Sequence, residues 1–185
     1  MMTIRHSFVC GRIEGSDGMA SYDDGKREIA AWIEEHFPLR SEILDVGACD
    51  GKWRWMLAQY PYMDGVEIWK PNAEKIAHAY RKMFPVDICL LEYEHYDLVI
   101  FGDILEHLSV ERAQKALEYA KAHADAVLVA VPFWYEQDAM DGNVFEVHVQ
   151  PDLTPDVFAE RYPGFEVLLR AKEDYCYYIW QKDKK

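Results

Sequence analysis

The chain has 185 residues, half of them hydrophobic and 14 % aromatic, which is enough apolar material for one domain with a buried core and argues against disorder. Its 20 lysines and arginines face 33 aspartates and glutamates, a formal charge of −13, which disfavours a nucleic-acid partner because phosphate backbones are held by basic surfaces. The cysteines, Cys10, Cys49, Cys89 and Cys176, are far apart with no C-x-x-C pair, so reduced thiols are expected rather than a zinc site or a redox pair.

The N-terminal residues lack a basic stretch followed by an apolar one, so no secretory signal is expected. The longest apolar run, Ala126 to Tyr135, falls well short of the roughly 20 residues of a membrane-spanning helix. A cytoplasmic protein with no membrane partner is the resulting expectation. Residues 1–20 read as an extension or lid, and 21–185 as one domain.

From Tyr22 to Phe37, Ile29, Trp32, Ile33 and Phe37 keep helical spacing, and Pro38 ends the pattern. Ile43, Leu44 and Val46 form a β-rich run that leads into Gly47 and Gly51, a strand and a glycine turn able to approach a ligand closely. A helix is expected over Lys52–Tyr60, a strand over Met63–Trp69, a helix from Asn72 to Met83 and a short third strand over Val86–Leu91. Tyr96–Phe101 is a fourth strand. Ser109 then caps a helix whose buried stripe is Val110, Ala113, Leu117, Ala120 and Ala124.

Ala126–Phe133 is apolar almost throughout, as in a parallel strand covered on both faces. Trp134 to Leu153 is a long connection, and loops of that length in a compact domain usually carry function. Thr154-Pro155 opens a helix to Arg161. Phe165–Lys172 and Tyr175–Gln181 close the chain as an antiparallel pair. The alternation predicts an α/β fold, a three-layer Rossmann-like sandwich whose mostly parallel seven-stranded sheet ends in that hairpin, with ligands at the carboxyl ends of its strands.

The stretch Asp45-Val46-Gly47-Ala48-Cys49-Asp50-Gly51 resembles motif I of class I S-adenosylmethionine-dependent methyltransferases, an acidic residue followed by glycines at alternate positions, with Cys49 in place of the middle one. The resemblance extends from about Ile43 to Trp180 through Glu67, Asp87 and the segment Asp103-Ile104-Leu105-Glu106-His107. A dinucleotide-binding turn is the rival. Its fingerprint needs glycines two and five residues after the first, and those places hold Cys49 and Lys52.

The resemblance implies S-adenosylmethionine as cofactor and assigns positions to it. The turn amides of Gly47, Ala48, Cys49 and Gly51 would meet the methionyl part, and Asp45 its ammonium, directly or through water. Glu67 would accept from the ribose hydroxyls, with Ile68 beside it. Asp87 and Ile88 would meet the adenine, and Gly102 and Asp103 would pass under the reacting methyl group. His107, His148, Asp103 and Glu106 are the candidate bases, needed only if the acceptor must lose a proton. Pro132 to Tyr135 and Gly142 to His148 are loosely similar to the loop after the fifth strand in methyltransferases that modify sugars or other small polar metabolites. Asp138, Asp141 and Glu146 do not fall at ligand spacing, so no metal is assigned.

The sequence therefore predicts in-line methyl transfer to a small-molecule or sugar acceptor. A nicotinamide-dependent oxidoreductase and a non-catalytic module that only binds S-adenosylmethionine remain the alternatives.

Overall fold

The computed structural model describes residues 23–183; the expected lid over 1–20, Cys10 and Tyr22 lie outside them. Seven strands form one sheet: β1 (Ile43–Val46), β2 (Met63–Val66), β3 (Met83–Phe84), β4 (Tyr96–Gly102), β5 (Ala124–Pro132), β6 (Glu166–Lys172) and β7 (Tyr175–Gln181). They lie in the order β3-β2-β1-β4-β5-β7-β6. The first five are mutually parallel, and β7 enters antiparallel between β5 and β6.

Strand alternation divides the core in two. Leu44, Val46, Val99, Phe101, Val127, Val129 and Val131 point to one face, which α4 (Val110–Ala122) and α5 (Pro155–Arg161) cover. Ile43, Leu98, Ile100, Ala126, Leu128 and Ala130 point to the other, beneath α1 (Lys26–His36), α2 (Lys52–Met56) and α3 (Lys70–Ile76). A period of two places consecutive side chains on opposite faces, so a strand that is apolar throughout must be covered on both. The N-termini of α4 and α5 carry the expected caps, with Ser109 accepting from Arg112 N at 3.4 Å and Thr154 from Val157 N at 3.1 Å.

Several boundaries differ from expectation. The third strand is Met83–Phe84, because Pro85 follows it and the ladder to β2 ends where Glu67 N donates to Phe84 O. The segment expected as strand holds instead a 3₁₀ turn, Ile88–Leu90, which Asp87 caps by accepting from Cys89 N at 3.0 Å. The α2 helix stops at Met56, where Arg54 donates to Leu57 O at 2.9 Å and to Ala79 O at 2.6 Å and so takes up carbonyls near the helix end. β2 ends at Val66 rather than Trp69. The helix after it starts at Lys70, with Pro71 in its first turn. Ala124 begins β5 instead of ending the preceding helix, and Val110 is only partly buried. No helix among the described residues is long and apolar enough to cross a membrane.

Candidate active site

The strand order reverses between β1 and β4, and their carboxyl ends open into a cleft with about 920 Å³ of empty space, part of it open to solvent. Gly47, Ala48, Cys49, Glu67, Ile68, Asp87, Ile88, Gly102, Asp103 and His107 line it, so residues far apart in sequence meet in one cleft. Asp45, Gly51, Glu106 and His148 are not part of this wall.

At the head of the turn, Gly47 has φ 75°, and a β-carbon there would lie 1.9 Å from Cδ1 of Ile104. Two residues later Cys49 adopts φ 44°, and across the cleft Asp103 adopts φ 57°, both left-handed conformations that cost a non-glycine residue roughly 1 kcal/mol or more. The gain at Cys49 is an aimed amide. Its N–H donates to Oε2 of Glu67 at 2.8 Å, while Trp69 N donates to Oε1 at 2.7 Å. Glu67 is thus tied to the glycine turn on one side and to the start of α3 on the other. Burial raises its carboxyl pKa, and the two amides pull it back.

Asp45 lies behind the turn. Its Oδ2 accepts from Tyr80 Oη at 2.6 Å, its Oδ1 has no hydrogen-bond partner, and burial pushes its carboxyl up to about 7 despite the Tyr80 bond. It sits outside the wall and so is not in position to meet a cofactor ammonium directly. Gly51 has a structural place, capping α2 in a left-handed conformation. Asp87 reaches the cleft but is also engaged with Cys89 N and with the Arg112 guanidinium.

Lys26 was not anticipated. It is 1 % exposed, and its Nζ donates to Oδ2 of Asp103 at 3.0 Å and to Tyr175 Oη at 3.3 Å; Tyr175 Oη in turn donates to Oδ1 of Asp103 at 2.5 Å. The ammonium also stands 5.5 Å from the ring centroid of Trp53, whose indole N–H is buried without a partner. Gly25 permits this entry, because with φ 76° it starts α1 where a β-carbon would meet Cε2 of Tyr177 at 2.8 Å. The sequence did hold a signal. Lys26 shares the helical face of Ile29 and Ile33, so a lysine occupies a core position.

The long connection folds back over the cleft. Asn143, Phe145 and Glu146 join its wall, and Val149 N donates to Glu106 O at 2.8 Å. Gln150, itself buried, donates to the carbonyls of Leu105 at 2.7 Å and Leu108 at 2.9 Å. Each peg joins the loop to the turn Leu105–His107 that follows β4. His107 packs edge-on against His148 with centroids 4.7 Å apart. Burial, and then His148, push its imidazole down to about 4; burial also lowers His148, so both rings are neutral near pH 7. Trp69 lies against Phe145 outside the wall, and Asp138 and Asp141 lie on the loop away from it.

The sequence matches no protein-family model and no curated protein. Solved structures do match. The N-terminal domain of EvdMO1, crystallised in the presence of SAH and D-fucose, superposes with a TM-score of 0.65 at 18 % identity over 92 % of this chain and 86 % of that one. A 1,6-didemethyltoxoflavin-N1-methyltransferase of Burkholderia thailandensis, with its substrate and S-adenosylhomocysteine bound, gives 0.60 at 16 % identity over 88 % and 80 %. The magnesium protoporphyrin IX methyltransferase ChlM of Synechocystis PCC 6803, with SAM bound, gives 0.59 at 17 % identity over 82 % and 75 %. The chain has the fold of the class I S-adenosylmethionine-dependent methyltransferases.

Proposed function

We propose that the chain is an S-adenosylmethionine-dependent methyltransferase acting on a small polar acceptor. The observation that carries this reading is Glu67, a cleft-lining carboxylate at the end of β2 whose two oxygens are fixed by the amides of Cys49 and Trp69. A carboxylate held in this way keeps lone pairs for a diol, immediately beside the glycine turn.

The rest of the wall fits the remaining parts of the cofactor. The unpartnered indole N–H of Trp53, beside the ammonium that Lys26 holds against Asp103 and Tyr175, supplies a donor for a carboxylate. Ile88 offers an apolar surface and Asp87 an acceptor for an adenine. When bound, S-adenosylmethionine supplies an electrophilic methyl group on a sulfonium, and this chain contributes orientation and exclusion of water. Asp103, held by Lys26 and Tyr175, has both carboxyl oxygens fixed at the end of β4. His107 is neutral and lines the same wall, so it sets an uncharged polar group on the acceptor side of the cleft.

The solved neighbours are methyltransferases, and two were crystallised with small polar molecules, D-fucose in one case and a didemethyltoxoflavin in the other. That supports a small acceptor and disfavours the nicotinamide alternative. The test is calorimetric titration with S-adenosylmethionine and with NADH, followed by incubation with sugar and heterocycle pools and detection of S-adenosylhomocysteine. Saturable binding of S-adenosylmethionine with turnover supports the proposal. Binding without turnover in any pool would favour a non-catalytic module.

A further inference from the structure

Three side chains with metal-binding chemistry converge beside the cleft wall at His107. Glu106, His107 and His148 each present one ligand atom, and these atoms all lie within 4.8 Å of one another. The geometry points to a site for one first-row divalent transition-metal ion, held by the Glu106 carboxylate and a ring nitrogen of each histidine.

The first independent observation is the carboxylate. Glu106 is 2 % exposed, and its Oε2 has no hydrogen-bond partner among the described residues. A buried carboxylate oxygen without a donor is costly, and the ammonium in this region, on Lys26, is bonded to Asp103. A cation between Glu106 and the imidazoles would satisfy it.

The second observation is how the rings are held. His148 Nδ1 lies 2.8 Å from the carbonyl of Tyr135 and His107 Nδ1 lies 3.3 Å from that of Val147. A carbonyl only accepts, so each Nδ1 carries the proton and each Nε2 keeps its lone pair. Imidazole ligands of metals are commonly oriented by such a bond from the other ring nitrogen. A further carboxylate, Glu146, brings Oε2 to 4.0 Å from Nε2 of His107 and adds negative charge on the same side.

Mixed imidazole and carboxylate donors suit manganese through zinc better than magnesium or calcium, which favour all-oxygen sites. Metal bonds of about 2.1 Å hold ligand atoms roughly 3 to 4 Å apart, so binding needs a contraction of about 1 Å, within reach of side-chain rotations. The ligands come from the turn after β4 and from the long loop, so the ion would fasten one to the other. Because His107 also lines the cleft, open coordination positions would face an entering acceptor oxygen; that use rests on the methyl-transfer reading, whereas the site itself does not.

The test strips the full chain with a chelator, dialyses it and titrates Co²⁺ while recording visible absorption, with Zn²⁺ and then Mg²⁺ as competitors. The expected result is one Co²⁺ per chain, displaced by Zn²⁺ but not by equimolar Mg²⁺, with affinity at least tenfold weaker in Glu106→Gln and in His148→Gln. No stoichiometric Co²⁺ in the wild type, or unchanged affinity in both variants, would overturn the inference. Titrating S-adenosylmethionine into the same samples separates the two readings. Cofactor binding without metal binding removes only the ion, and metal binding without cofactor binding removes only the methyltransferase.

Discussion

Replacing Glu67 by glutamine asks whether this carboxylate is a structural strut as well as a ligand. In the wild type its oxygens accept from Cys49 N at 2.8 Å and Trp69 N at 2.7 Å. Glutamine keeps one oxygen, so one amide faces an NH₂ group and loses its acceptor. A hydrogen bond to a charged partner is worth about 1.5 to 3 kcal/mol. Glutamine also removes a charge whose pKa burial raises, which returns part of that loss. The expected net cost in the absence of any ligand is therefore about 1 to 2 kcal/mol, read from the midpoint and slope of urea unfolding. Affinity for S-adenosylmethionine should fall further, by about tenfold or more for a loss of ~1.4 kcal/mol, since the turn amides and the diol acceptor are disturbed together. Ligand-free stability within about 0.3 kcal/mol of wild type would refute the strut, because one of two half-buried amides would then lose its charged acceptor at almost no cost.

Asp45 gives a pH test. Its carboxyl is raised from 3.8 to about 7, so the folded state holds a proton that the unfolded chain has released; this contribution is complete below 3.8 and is lost as pH rises through about 7. Asp45→Asn should therefore gain stability over wild type between pH 4 and 8, approaching an upper bound of roughly 4 kcal/mol; parallel curves in urea unfolding would count against it. Cys49→Gly should stabilise the fold by about 0.5 to 1 kcal/mol, because φ 44° suits glycine and the amide to Glu67 is kept; unfolding at one pH is sufficient to check it. Lys26→Met should destabilise by about 3 kcal/mol or more by leaving Asp103 without its cation, and adding Asp103→Asn should recover part of that loss in a double-mutant cycle.

The strands that position the site were legible because they are buried on both faces. In Ile43–Val46, Tyr96–Gly102 and Ala124–Pro132 the chain itself is apolar with little interruption, whatever packs on it. The third strand was not, because its two residues precede Pro85 and depend on pairing with β2 rather than on a hydrophobic run. The wall residues Gly47, Glu67, Asp87 and Asp103 are found through the resemblance to a methyltransferase motif set, although Asp87 is expected inside a strand and stands instead in the loop after Phe84. Asp45 shows the limit of that logic. It belongs to the same motif, but the strand turns its side chain back toward Tyr80.

Lys26 escaped for a related reason. A charged side chain reads as solvated unless its partner is known, and Lys26 meets Asp103, 77 residues away. Glu106 is among the candidate bases, but its enclosure by the folded-back loop was not legible, because that depends on contacts distant in sequence. The metal-competent set was hidden in the same way, since adjacent Glu106 and His107 acquire His148 only through the loop.

The most direct measurement of the central claim is the binding isotherm of the purified chain for S-adenosylmethionine, with NADH titrated separately. The expected result is one S-adenosylmethionine per chain, no saturable NADH binding, and loss of the S-adenosylmethionine signal in Gly47→Val, where the added side chain would run into Ile104 at the cleft wall. Saturable NADH binding with none for S-adenosylmethionine, or unchanged S-adenosylmethionine affinity in a folded Gly47→Val variant, would contradict it.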